Sequence, residues 1–129
     1  MSNFQGQKTS KILLVEDHDA NVMVAALYLE KYGYEYDVAK NGNEAIEKAI
    51  NGGYCTILMD IQMDGIDGLE ATRRIRSHEY SNNISRTPII GMTALALQGD
   101  REKCLDVGMD DYISKPFNPI ELEQKLITF

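Results

Sequence analysis

Five side chains stand directly behind apolar runs, and their types could do chemistry together. Glu16 and Asp17 follow KILLV, Asp60 follows YCTILM, Thr93 follows TPIIGM, and Lys115 follows DDYIS. An interior strand has no stability reason to end in an ionised acid, because burying an unpaired charge is costly. Three carboxylates brought close together repel, which raises at least one pKa or recruits a cation. A hard divalent cation such as Mg²⁺ suits oxygen ligands of this kind, and Mn²⁺ is an alternative. A cation, a hydroxyl and an ammonium together make a receptor for phosphoryl oxygens. A carboxylate among them can then act as nucleophile and become an acyl phosphate.

Such a site needs a fold that brings four strand ends to one edge. The chain reads as a regular alternation of strands and helices from residue 11 onward, after a polar, disordered lead-in over 1–10. Strands are expected over 11–17, 34–40, 54–60, 87–93 and 110–117. Helices are expected over 19–33, 41–53, 67–80, 97–108 and 118–129. Val22, Ala25, Ala26 and Leu29 share one helical face; so do Ala45, Ile46, Ala49 and Ile50, then Leu69, Thr72 and Ile75, and then Leu122, Leu126 and Phe129. Asp67 and Asn118 are expected N-caps, and Pro119 suits the first helical position. Strict alternation implies an α/β fold: a doubly wound, five-stranded parallel sheet with helices on both faces. Ligands of such sheets bind beyond the carboxyl ends of the strands, where the five side chains stand.

The bulk numbers narrow the function. A chain of 129 residues with 43% hydrophobic content makes one domain with a real core. Its net charge of −7 argues against direct nucleic-acid binding or an anionic membrane surface. No apolar stretch is long enough for membrane insertion, and none resembles a secretory signal. Cys55 and Cys104 lack metal-ligand spacing and are read as reduced, structural and cytoplasmic.

The motifs LLVED (13–17), ILMDIQM (57–63), MTA (92–94) and YISKPF (112–117) resemble, in order and spacing, the receiver domains of two-component response regulators. The likeness runs over 11–129 and is strongest to receivers of hybrid histidine kinases and phosphorelays. It implies a flavodoxin-like (βα)5 fold with strand order 2-1-3-4-5. It also implies a Mg²⁺-dependent phosphoacceptor, not an enzyme with turnover, that takes a phosphoryl group from a histidine kinase or histidine phosphotransfer domain. By resemblance, Asp60 is the phosphoacceptor. Asp17, Asp60 and the backbone carbonyl of Gln62 ligate the metal, and Glu16 holds a metal-bound water. Thr93 and Lys115 contact the phosphoryl group, and Tyr112 is the switch aromatic. The face over 97–127 is the expected output surface and a possible phosphorylation-dependent dimer contact. Lys115-Pro116 resembles the family's cis peptide.

Several residues depart from that pattern or admit plainer readings. Asp64 stands where the family usually has proline, which leaves φ free and adds a charge. His18 replaces a common asparagine and is expected to be exposed in a loop, with a possible influence on access to the metal. Asn21 either assists the acidic cluster or is solvated. Gln62 and Leu95, two positions after Asp60 and Thr93, predict modest autodephosphorylation. Met23, Met59, Met63, Met92 and Met109 are expected core residues. A calcium loop over 60–71 fails because Gln62 and Ala71 occupy ligand positions. A phosphatase of the haloacid-dehalogenase type fails because Gln62 stands where its general acid would be.

Overall fold

A computed structural model describes residues 11–94, 98–116 and 118–129, with side chains 98 and 100 excluded. The expected lead-in over 1–10, and Leu95, fall outside these residues. Five strands form one parallel sheet: β1 (Lys11–Val15), β2 (Glu35–Ala39), β3 (Thr56–Asp60), β4 (Ile89–Thr93) and β5 (Asp111–Ser114). Their order is β2-β1-β3-β4-β5, as the resemblance implies. The helices are α1 (Asp19–Lys31), α2 (Gly42–Asn51), α3 (Gly68–Ser81), α4 (Gln98–Asp106) and α5 (Pro119–Thr128).

The strands are continuous apolar runs because both faces of the sheet are covered. Alternate residues feed two cores. Leu13, Val15, Ile57, Met59 and Ile89 meet Ala45, Ala71, Ile75 and Cys104 on the side of α2, α3 and α4. Ile12, Leu14, Leu58, Ile90 and Ile113 meet Ala25, Leu29, Leu122 and Leu126 on the side of α1 and α5. Asn41, Asp67 and Asn118 accept backbone N–H bonds at the starts of α2, α3 and α5, the local reason those helices begin there.

Some expected core positions are corrected. Ile50 is exposed because it stands at the margin of the helical stripe that Ala45 and Ala49 turn to the core. Phe129 lies past the last turn of α5 and is also exposed. Met23 is on the outer side of α1 and is 67% exposed, whereas Met59, Met92 and Met109 are buried. Neither cysteine is in a disulfide, and Cys104 is fully buried.

A polar network closes the edge of the sheet opposite the strand tips. Arg76 of α3 donates to Gly108 O, Thr87 O, Glu79 Oε1 and Asp110 Oδ2 at 2.8–2.9 Å. Glu79 and Asp110 in turn accept the backbone N–H groups of Thr87 and Ile89. One guanidinium thus joins α3, the approach to β4 and the approach to β5.

Candidate functional site

The parallel register carries the reactive side chains to one edge. Asp60 is the last residue of β3 and pairs in register with Met92, one residue before Thr93 at the end of β4. Glu16 follows β1 and is held by its N–H bond to Ala39 O. Lys115 follows β5, and its N–H donates to Thr93 O at 2.7 Å. The Lys115-Pro116 peptide is cis. Behind Asp60 the chain turns tightly into α3. Gly68 N–H bonds Ile61 O, and a Cβ on Gly68 would lie 2.1 Å from Asp60 O, so only glycine admits this return.

Glu16, Asp60 and Thr93 are all nearly inaccessible. The Lys115 ammonium lies 2.6 Å from Glu16 Oε1 and 3.3 Å from Asp60 Oδ2. Lys115 therefore pairs with both acids, and its shorter contact and its hydrogen bond go to Glu16. Asp60 Oδ1 accepts Gln62 N–H at 3.1 Å. Glu16 Oε2 accepts His18 N–H at 3.3 Å and Asn21 Nδ2 at 3.5 Å, which places Asn21 in the acidic cluster.

The two buried carboxyls are pushed in opposite directions. Burial alone would raise Glu16, but the hydrogen bond and charge of Lys115 outweigh it and hold Glu16 below its ordinary value. Burial, and then the charge of Glu16, raise Asp60 to about 6, with Lys115 compensating only in part. Asp17 is half-buried at the mouth, and its Oδ1 is inaccessible yet makes no hydrogen bond. His18 Nδ1 is 2.9 Å from that oxygen, close enough to count as a charge contact but without hydrogen-bond geometry. An open cleft above is lined by Asp17, His18, Gln62, Met63, Asp64 and Asp67.

An unsatisfied carboxylate oxygen beside two buried carboxylates and an exposed mouth fits a hard, partly hydrated cation. Tyr112 is in β5, half-buried against the core on the α3 and α4 side. Sequence reasoning did not anticipate how close the His18 ring comes to the acids. The signal was its adjacency to Glu16-Asp17.

The profile of the response regulator receiver domain matches residues 12–127. The chain belongs to that family. It is a receiver module of two-component signalling. It is 43% identical to hybrid signal transduction histidine kinase B of Dictyostelium discoideum over 94% of this chain, but only 7% of that protein. It therefore spans a small fraction of such a relative. The receiver domain of sensor histidine kinase PA1611 from Pseudomonas aeruginosa, solved with a magnesium ion in its active-site cleft, is 43% identical with a TM-score of 0.83. That match covers 93% of this chain and 96% of the other. The receiver domain of Ssk1 from Saccharomyces cerevisiae, solved with the histidine phosphotransfer protein Ypd1, is 35% identical with a TM-score of 0.85. It covers 92% of this chain and 86% of that one. No helix among the described residues is long and apolar enough to cross a membrane.

Proposed function

We propose that the receiver, taken as 11–129, accepts a phosphoryl group on Asp60 from a phosphohistidine of a histidine kinase or histidine phosphotransfer domain. The observation that carries this reading is Lys115 shared between Glu16 and Asp60 in a buried strand-end pocket. Asp17, Asp60 and the Gln62 carbonyl would hold Mg²⁺, with Mn²⁺ an alternative and Glu16 acting through water. When bound, the ion neutralises charge on the phosphoryl oxygens. In the transfer an Asp60 oxygen forms the new P–O bond as the P–N bond to the donor imidazole breaks, and the imidazole leaves with the electron pair. Lys115 and the Thr93 hydroxyl are placed to stabilise charge on the transferred group. The protein catalyses only its own phosphorylation and a slow hydrolysis of the product, in a cytoplasmic setting.

α1 begins at Asp19, immediately after the acidic pair, and is apolar on its outer side as well as its inner one. Met23 and Leu27 are 67% and 66% exposed one turn apart. That stripe starts at the rim of the pocket, so we assign it to the partner carrying the phosphohistidine. Phosphorylation would then bias Thr93 and Tyr112 and alter the 97–127 face, a possible dimer contact, where Lys125 now pairs with Asp111 at 2.7 Å. The test is radiolabel transfer from a phosphorylated histidine phosphotransfer domain. One label per chain on the native protein, and none on Asp60→Asn, is expected. Label on Asp60→Asn, or many turnovers per chain, would overturn the reading.

A further inference from the structure

We propose that His18 supplies a nitrogen ligand to the divalent-ion site, so that this receiver favours imidazole-accepting transition ions over Mg²⁺ more than an all-oxygen site would. The inference rests on the reading of the acidic pocket as an ion site, and it concerns which ions that site prefers.

Three observations carry it. First, Glu16, Asp17 and His18 offer one ligand atom each, all within 4.8 Å of one another. His18 Nδ1 is 2.9 Å from Asp17 Oδ1 and 3.6 Å from Glu16 Oε2. Adjacent ligands of an octahedral ion with bonds of about 2.1 Å stand roughly 3 Å apart, so this spacing suits neighbours on one metal. Second, Nδ1 and Oδ1 are this close without hydrogen-bond geometry, so the ring N–H direction does not aim at the oxygen. Two lone-pair atoms side by side, both turned toward a common point, have that relation. Third, the ring has no structural duty at its position. His18 is the N-cap residue of α1, yet its side chain makes no cap bond. The side chain is 71% exposed, so the other ring nitrogen can give its proton to water while Nδ1 keeps its lone pair.

The chemical consequence is selectivity. Mg²⁺ prefers oxygen and gives up water reluctantly, so an imidazole adds little to its binding. Mn²⁺, Co²⁺ and Ni²⁺ accept nitrogen increasingly well in that order. An asparagine at 18 would offer no such donor.

The test uses the unphosphorylated full chain at about pH 8, where an ordinary imidazole is neutral. Co²⁺, Ni²⁺ and Mg²⁺ are titrated singly into the native protein, His18→Asn and Asp17→Asn. Mn²⁺-loaded samples are examined by electron spin-echo modulation for a directly bonded nitrogen. His18→Asn is expected to weaken Co²⁺ and Ni²⁺ binding at least about tenfold. The same change should leave Mg²⁺ affinity within about twofold, and the nitrogen modulation should disappear. Asp17→Asn is expected to weaken every ion. Loss of binding in Asp17→Asn, with no nitrogen signal and an unchanged Co²⁺ to Mg²⁺ preference in His18→Asn, would overturn the role of His18 alone. Unchanged binding in Asp17→Asn would overturn the ion site itself.

Discussion

Replacing Asp60 with asparagine should stabilise the metal-free fold while abolishing phosphoryl acceptance. The magnitude comes from the position of the carboxyl. Burial and the neighbouring Glu16 raise Asp60 from an ordinary 3.8 to about 6. That is roughly two pH units, and at about 1.4 kcal/mol per unit the ionised group costs the fold on the order of 3 kcal/mol at neutral pH. A carboxyl raised in the folded state binds its proton more tightly there than in the unfolded chain. Its destabilisation is therefore complete above about 6, fades as pH falls, and is gone below the unfolded value of 3.8. Asparagine keeps the shape and an oxygen for the Gln62 N–H, carries no charge, and leaves Lys115 on Glu16. Urea unfolding in the presence of a chelator, at about pH 8, 6 and 4, should show a gain of about 3 kcal/mol that shrinks slightly at the middle value and falls to roughly 0.5 kcal/mol at the lowest. Adding Mg²⁺ should narrow the gap at pH 8, because an ion that binds only the folded native protein stabilises it by mass action. A variant no more stable than the native protein at pH 8 would refute the argument. So would a gain that persists unchanged at pH 4, because the penalty would then not be one of ionisation.

Lys115→Ala leaves Glu16 and Asp60 facing each other without a cation. It should cost about 3–5 kcal/mol at pH 8, less toward pH 4 as both acids protonate, measured by the same urea series. Gly68→Ala places a methyl 2.1 Å from Asp60 O, so it should cost about 1–3 kcal/mol and slow labelling of Asp60. Arg76→Ala leaves Glu79 without its guanidinium and Asp110 with Arg86 alone, at 3.0 Å, at the opposite edge of the sheet. It should cost about 3–5 kcal/mol by urea midpoint while labelling from a phosphodonor is retained. Asp64→Pro should raise stability by about 0.4–1 kcal/mol, read from thermal unfolding.

The parts of the molecule that were legible in the sequence are those that a repeating geometry dictates. Each continuous apolar run had to be a strand buried on both faces, and parallel pairing then sends all the residues that follow such runs to one edge. Glu16, Asp17, Asp60, Thr93 and Lys115 could be grouped before any coordinates because nothing but strand direction was needed. Helix faces were legible only where the helix lies over the sheet. Ile50 is in phase with Ile46, at the margin of the stripe that Ala45 and Ala49 bury, and periodicity does not say how wide the covered stripe is. Met23 failed for a different reason: its residue type suggested the core, although it stands off the Ala25, Ala26 and Leu29 stripe that α1 buries. The Arg76 network joins residues up to 34 positions apart and left only one local trace, a charged Glu79 in phase with Thr72 and Ile75 on the buried face of α3.

The partner of Lys115 shows why types and spacing stop short of mechanism. Strand order places the ammonium among the acids, but which acid it serves depends on tenths of an ångström. Glu16 holds it at 2.6 Å and Asp60 at 3.3 Å, so most of its compensation goes to Glu16 and not to the proposed phosphoacceptor. The result is a division of labour between two carboxyls in one pocket. Glu16 is held ionised, and Asp60 keeps a raised pKa that records an unmet demand for positive charge. A stable apoprotein would have paired Asp60 fully. Leaving its charge partly uncompensated weakens the empty fold and strengthens the pull on whatever positive charge next enters the pocket.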